Sequence, residues 1–148
     1  MSFASDCDAV PELLGASKRG LRALKAQDVA HVSKPRATRL STSIDVDAAF
    51  KASQPTAARW DYGVGQRKGQ REIVHWIEVH PAGGGNNISQ MLNKLIWLRG
   101  WLQGKPLANY ERQVVWVASG KSAFNARDPQ LKALAQAGLR FVGGHYAI

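Results

Sequence analysis

The ten residues Arg71-Glu-Ile-Val-His-Trp-Ile-Glu-Val-His80 constrain the fold of this chain more than any other stretch. They are rich in β-branched and aromatic residues, which favours a β-strand. Because side chains alternate between the two faces of a strand, Glu78 and His80 lie on the same face. A glycine-rich loop follows them directly. Burial of an unpaired charge costs several kcal/mol, so we expect Glu78 to have a partner or a ligand.

A second strand is predicted over residues 58–65, and a turn at Lys68-Gly69 joins the two strands into an antiparallel hairpin. With this turn Asp61 faces Trp76 and lies diagonal to Glu78. A shift by two residues instead places Asp61 directly opposite Glu78. Both registers keep Asp61 on the face of Glu78 and His80, with the carboxyl-bearing carbons within about 8 Å. A slip by one residue would separate them.

The rest of the chain alternates between helical and extended patterns, which indicates one α/β domain. Helices are predicted over 41–51, 88–102 and 128–138, and further strands over 112–119 and 139–144. The long helix carries Gln90 and Lys94 one turn apart. These two residues therefore share a face at its N-terminal end, near the end of the strand that bears His80.

The chain of 148 residues has a formal net charge of +9, which favours anionic partners and nucleic acid first among them. Residues 1–40 are predicted to be a basic N-terminal extension, and residues 41–148 the α/β domain. The extension either neutralises phosphates or is a solvated leader; both interpretations stay open. The candidate nucleic-acid-binding residues are Lys18, Arg19, Arg22, Lys25, Lys34, Arg36, Arg39, and, in the hairpin turn, Arg67 and Lys68.

Cysteine content and hydropathy bear on the compartment. The single cysteine, Cys7, excludes an internal disulfide and a cysteine-based zinc site. A reducing, cytoplasmic compartment is therefore expected. The first residues lack the pattern of a signal peptide, and Lys94 and Arg99 interrupt the longest apolar segment, so we expect no membrane span.

The run Ser119-Gly-Lys-Ser122 follows a predicted strand, as phosphate-binding loops do. The nucleotide-binding consensus requires a glycine five positions before Gly120, and Val115 stands there. We therefore do not predict a nucleotide-binding loop.

Asp61, then Glu78-Val-His80, then a long helix with Gln90 and Lys94, resembles the PD-(D/E)xK nuclease superfamily over roughly residues 41–145. The resemblance implies a restriction-endonuclease-like mixed sheet flanked by helices, in an αβββαβ-like order. It implies that Asp61 and Glu78 bind Mg²⁺ and that the site hydrolyses phosphodiester bonds of nucleic acid. Gln90 would orient groups in the site.

Two positions depart from the family pattern. Trp60 replaces the motif proline, and His80 replaces the motif lysine, which carries a fixed positive charge. Lys94 could supply that charge from the helix, and a neutral His80 could act as a general base. The alternatives are a catalytically inactive module that binds nucleic acid or a protein through its basic surface, and a structural protein in which the Trp-rich helix forms a homodimer.

Overall fold

Residues 2–125 and 127–148 are described by a computed structural model. The elements of this part of the chain, in order, are α1 (Phe3–Asp8), β1 (Lys18–Arg19), α2 (Ala26–Val29), β2 (Val32–Ser33), β3 (Arg39–Asp45), α3 (Val46–Phe50), β4 (Tyr62–Lys68), β5 (Arg71–His80), α4 (Gly85–Leu102), β6 (Glu111–Ala118), α5 (Pro129–Gln136), β7 (Arg140–Phe141) and β8 (Tyr146–Ala147). Short 3₁₀ turns lie at Pro11–Leu13 and Pro106–Asn109.

Within the described residues, six strands form a mixed sheet in the order β1-β3-β4-β5-β6-β7. The pairs β1–β3, β3–β4 and β4–β5 are antiparallel, whereas the pairs β5–β6 and β6–β7 are parallel. Helix α4 makes the crossover between β5 and β6, as a parallel pair requires. The predicted single α/β domain with a mixed sheet flanked by helices is therefore confirmed.

The predicted helix over 41–51 is wrong in its first half. Residues up to Asp45 belong to β3 and pair with β4, and the helix α3 begins at Val46. The hydroxyl residues before Ile44 are typical of a helix cap in sequence, but in the fold they belong to a strand whose register with β4 shifts between Leu40 and Ser43. Asp45 is the N-cap, since its Oδ1 accepts a hydrogen bond from Ala48 N at 2.8 Å.

The hairpin has the second of the two predicted registers. Strand β4 ends at Lys68 and β5 begins at Arg71, so the turn is Gly69-Gln70 and not Lys68-Gly69. Gly69 has a φ of +67°, a conformation that L side chains rarely adopt. Tyr62 pairs with Ile77, and this register places Asp61 opposite Glu78.

One face of the sheet carries the larger core. Helix α4 covers this face with Met91, Leu95 and Leu98, which pack in one cluster with Trp76 and Trp116. Phe3 and other residues of the N-terminal segment are buried in the same cluster. The first part of the predicted extension therefore contributes to the core of the domain.

The other face of the sheet is covered by a second cluster that joins residues 24–32 to the C-terminal strand β8. His75 is buried there, and its ring nitrogens contact Tyr146 Oη at 2.7 Å and Gln66 Oε1 at 2.8 Å. Burial, assisted by the nearby Arg140, lowers the pKa of His75 to about 4. His75 is therefore neutral in the folded protein at neutral pH.

The surface of α4 that faces away from the sheet is partly apolar. Ile96 is 67% exposed and Leu92 is 39% exposed, while Trp101 is buried and stacks on Trp97 with ring centroids 5.7 Å apart. The homodimer predicted for a Trp-rich helix stays a prediction. None of the helices in the described ranges has the length and apolarity needed to cross a lipid bilayer.

Candidate active site

The five residues predicted to form a catalytic site meet at one end of the hairpin. Asp61 immediately precedes β4, Glu78 and His80 lie at the end of β5, and Gln90 and Lys94 lie in the first three turns of α4. Three consecutive elements of the chain thus contribute to one cluster of polar side chains. The paired strands fix the two carboxylates and His80, and the crossover helix carries Gln90 and Lys94 to them.

The two carboxylates are held by reciprocal hydrogen bonds to the backbone. Glu78 Oε1 accepts from Asp61 N at 3.0 Å, and Asp61 Oδ2 accepts from Val79 N at 3.0 Å. The Glu78 side chain is only 2% exposed. Each carboxylate is therefore positioned by the main chain of the opposite strand and cannot turn away without leaving an unpaired amide.

Lys94 is the principal cation of the site. Its Nζ lies 3.0 Å from Glu78 Oε2 and donates to the carbonyl oxygen of Arg59 at 2.8 Å. The side chain is 18% exposed, so the ion pair is largely screened from solvent. Lys94 balances one of the two carboxylates and leaves a second negative charge to be neutralised.

Burial, together with the neighbouring Glu78 carboxylate, raises the pKa of Asp61 to about 8. Lys94 and the hydrogen bond from Val79 N act in the opposite direction but do not cancel these effects. At neutral pH the carboxyl group therefore retains a proton unless another cation takes its place. A pKa perturbed this strongly by burial and a charged neighbour marks Asp61 as a candidate functional residue.

The tautomer of His80 follows from a chain of hydrogen bonds. Gly83 N and Gly84 N both donate to Asn87 Oδ1, at 2.8 and 3.2 Å, so Asn87 Nδ2 is the donor to Gln90 Oε1 at 3.0 Å. Gln90 Oε1 is thus an acceptor, and His80 Nε2, which lies 2.7 Å away, must carry the proton.

The opposite nitrogen of the imidazole faces the carboxylates. His80 Nδ1 lies 3.6 Å from Glu78 Oε2, too far for a direct hydrogen bond. With Nε2 protonated, Nδ1 of the neutral ring has a lone pair on the side of Glu78. His80 can therefore accept a proton from a molecule bound beside the carboxylates.

The site has two carboxylates that could bind a metal ion, those of Asp61 and Glu78. In the part of the chain that the structure describes, no group of three or more His, Cys, Asp or Glu side chains is placed to hold a metal ion. Zinc sites use three or four protein ligands, so Asp61 and Glu78 do not match one. Mg²⁺ keeps several waters and is bound through one or two carboxylates and substrate phosphates, and the donor set is compatible with that chemistry.

The candidate nucleic-acid-binding residues are not gathered at this end of the hairpin. Arg67 lies opposite Arg39, and Lys68 opposite Arg71, beside the Gly69-Gln70 turn. At about 3.3 Å per residue this turn is about 23 Å along β5 from Glu78. Arg67 also faces Glu72 on β5, and Arg71 pairs with Glu111 at 3.2 Å, so part of this positive charge is balanced by neighbouring carboxylates.

The other candidate nucleic-acid-binding residues are spread over residues 18–39. Lys18 and Arg19 form the edge strand β1, and the backbone amide of Lys25 donates to Tyr62 Oη at 3.2 Å, which fixes that segment near the start of β4. Side chains in this group that are exposed to solvent are Lys18, Arg19, Arg22, Lys25, Lys34, Arg36 and Arg39.

Sequence reasoning missed Asn87 and the carbonyl group of Arg59. Asn87 stands three residues before Gln90 in the first turn of α4, a spacing that brings the two side chains together. That spacing is a usable signal, but Asn87 lies in a glycine- and asparagine-rich run that is typical of a loop. The carbonyl of Arg59 lies in irregular backbone, for which the sequence holds no comparable signal.

Comparison with protein-family models, with curated proteins and with solved structures gave no match for this chain.

Proposed function

We propose that this protein is a metal-dependent hydrolase of nucleic-acid phosphodiester bonds, a divergent nuclease of the PD-(D/E)xK type. The observation that carries the proposal is the meeting of Asp61, Glu78, His80 and Lys94 at one end of the sheet. Two adjacent carboxylates, a cation and a base are the groups that metal-assisted hydrolysis of a phosphodiester needs.

The element order around the site supports the same proposal. Strands β3, β4 and β5 are antiparallel neighbours, and α4 and then the parallel strand β6 follow β5. This is the order that the sequence resemblance implies, except that the short helix α3 stands between β3 and β4. The family assignment rests on that order and on the site residues.

Asp61 and Glu78 would hold Mg²⁺, which when bound polarises a phosphate oxygen and lowers the pKa of a coordinated water. Lys94 would place its ammonium beside the negative charge that develops on the phosphate. His80 Nδ1 would accept a proton from the attacking water. Gln90, held by Asn87, would keep the imidazole in the tautomer that this step requires.

A catalytically inactive nucleic-acid-binding module is the second candidate, and one observation favours it. Both Glu78 oxygens already have partners in the protein, Asp61 N and Lys94 Nζ, so the carboxylate is satisfied without a metal. In such a protein the basic residues would bind phosphates while the polar cluster stabilised the fold. Binding that weakens with salt, without cleavage, is the expected behaviour of this module.

Cleavage of labelled DNA and RNA in Mg²⁺ or Mn²⁺ tests the proposal, with Glu78→Gln as the inactivating variant. The amide keeps the size of the side chain but removes the negative charge, so we expect cleavage to fall at least about a hundredfold. Glu72→Gln is the matched control, because Glu72 lies on the same face of β5 at its other end and bonds to Phe3 N and Ser41 Oγ.

Equal cleavage by wild type and Glu72→Gln, with loss in Glu78→Gln, is the result that the nuclease proposal predicts. Salt-dependent binding without cleavage by the wild type would favour the inactive module. Cleavage that survives in Glu78→Gln would come from another site or a contaminating enzyme and would count against the proposed residues.

A further inference from the structure

The loop after β6, residues 119–124, lies directly beside the proposed site. His80 pairs with Ala118 in the parallel ladder, so β5 and β6 end at the same edge of the sheet. Ser119 N donates to the carbonyl oxygen of His80 at 3.2 Å, and Ala123 N to that of Ala82 at 2.9 Å. Backbone hydrogen bonds thus hold the loop against the residues on both sides of Pro81.

Aromatic contacts hold the far end of the loop. The Phe124 ring packs edge-on against Trp116, with centroids 5.8 Å apart. Trp116 Nε1 donates to the carbonyl oxygen of His80 at 3.0 Å, the same oxygen that Ser119 contacts. Between these anchors stand Gly120, Lys121 and Ser122, all exposed. A tip this short keeps Lys121 at the sheet edge beside His80.

Lys121 has the charge and surroundings of a phosphate-binding residue. Among residues 2–125 and 127–148 it makes no ion pair with a carboxylate. An ammonium on a flexible stem binds phosphate as a point charge. In open α/β sheets, ligands bind outside the carboxyl ends of the parallel strands, and this is the edge that the loop occupies.

We propose that Lys121 is a substrate-binding residue that contacts the nucleic-acid phosphate next to the one hydrolysed at Asp61 and Glu78. This inference rests on the proposed function and identifies a contact that the catalytic residues do not supply. Lys94 is occupied by Glu78 and Arg59 within the site, whereas Lys121 is exposed at its rim. Contact to a backbone phosphate carries no sequence information, so Lys121 contributes affinity equally on all sequences.

Binding of labelled DNA and RNA, single-stranded and duplex, is measured in EDTA over a range of salt concentrations for the full chain. The variants are Lys121→Ala and Lys121→Arg, and Lys132→Ala is the matched control because Lys132 is exposed on α5. For a duplex, Lys121→Ala should make the negative slope of log K against log salt shallower by about 0.9, which is about an eightfold loss of affinity at about 0.1 M salt. Lys121→Arg should restore most of that loss, and Lys132→Ala should match the wild type.

The outcomes separate this inference from the function on which it rests. If the wild type cleaves but Lys121→Ala keeps the wild-type slope and affinity, Lys121 does not contact substrate, and the nuclease proposal stands. If Lys121→Arg is as defective as Lys121→Ala, the lysine acts through loop structure and the phosphate contact is excluded. If the wild type neither binds nor cleaves any of the four nucleic acids, both proposals are overturned.

Discussion

Replacing Asp61 with asparagine is expected to stabilise the folded protein by about 4 kcal/mol at pH 7, while removing the proposed nuclease activity. Asparagine can still accept the hydrogen bond from Val79 N, but it carries no charge beside Glu78. In the wild type, folding raises the pKa of Asp61 to about 8 from an ordinary value of 3.8. Folding therefore opposes ionisation of this group, and the substitution removes that cost.

The pH dependence of this effect has a definite sign. Below about pH 4 the carboxyl group is protonated in both the folded and the unfolded chain, so Asp61→Asn should have little effect on stability there. Between about pH 4 and 8 the unfolded chain loses the proton first, so wild-type stability falls as the pH rises and the advantage of the variant grows. Above about pH 8 the difference should level off.

Urea denaturation of both proteins from acid to mildly alkaline pH measures this difference. The neutral, buried His75 makes the stability of both proteins rise with pH between about pH 4 and 6.5, because in that range the unfolded chain binds more protons than the folded chain. This contribution is the same in the two proteins and cancels in the difference. Glu111→Gln is the control, since Glu111 makes an exposed pair with Arg71 and should matter little. A destabilised Asp61→Asn protein at pH 7 would show that the carboxylate is well solvated or paired in the fold.

Replacing Lys94 with methionine is expected to destabilise the protein by about 3 to 5 kcal/mol. The ammonium is the cationic partner of Glu78, whose side chain is 2% exposed, and its removal leaves a buried carboxylate beside Asp61. Methionine preserves most of the apolar stem of the lysine. The expected loss of stability therefore comes mainly from the uncompensated negative charge of Glu78.

A double variant separates the charge effect from the packing effect. Lys94→Met with Glu78→Gln removes both charges, so we expect it to recover more than half of the stability lost by Lys94→Met alone. The carbonyl of Arg59 loses its lysine donor in both proteins, and that loss cancels in the comparison. Lys132→Met on the exposed face of α5 should change stability by less than about 0.5 kcal/mol. Equal destabilisation of the single and double variants would mean that the ion pair contributes little.

The candidate site is predictable because strand periodicity fixes which side chains share a face. Either allowed register of the hairpin keeps Asp61 with Glu78, so the error in the turn does not disturb the site. Gln90 and Lys94 are predictable from helical spacing and from the end of the helix nearest His80. The predictions that succeed therefore depend on periodicity within an element and on the order of elements.

The parts of the fold that escape prediction depend on tertiary contacts. The stretch before Asp45 carries the hydroxyl residues of a helix start, yet pairing with β4 makes it a strand. The burial of Phe3 in the main core is decided by the space left beside Trp76 and Tyr110, whose rings it contacts edge-on. No local pattern near residue 3 encodes that space, which is why the sequence alone predicts an extension there.

Titration with Mn²⁺, followed by the electron paramagnetic resonance signal of the free ion, tests most directly whether Asp61 and Glu78 form a cation site. The wild type is predicted to bind Mn²⁺ with an affinity that rises with pH up to about 8, because the Asp61 proton must leave before the metal binds. Asp61→Asn and Glu78→Gln should each lose this binding, while Glu72→Gln should keep it. The proposed site would be contradicted if the wild type did not bind Mn²⁺ at millimolar concentration and pH 8. It would also be contradicted if Asp61→Asn bound Mn²⁺ as tightly as the wild type.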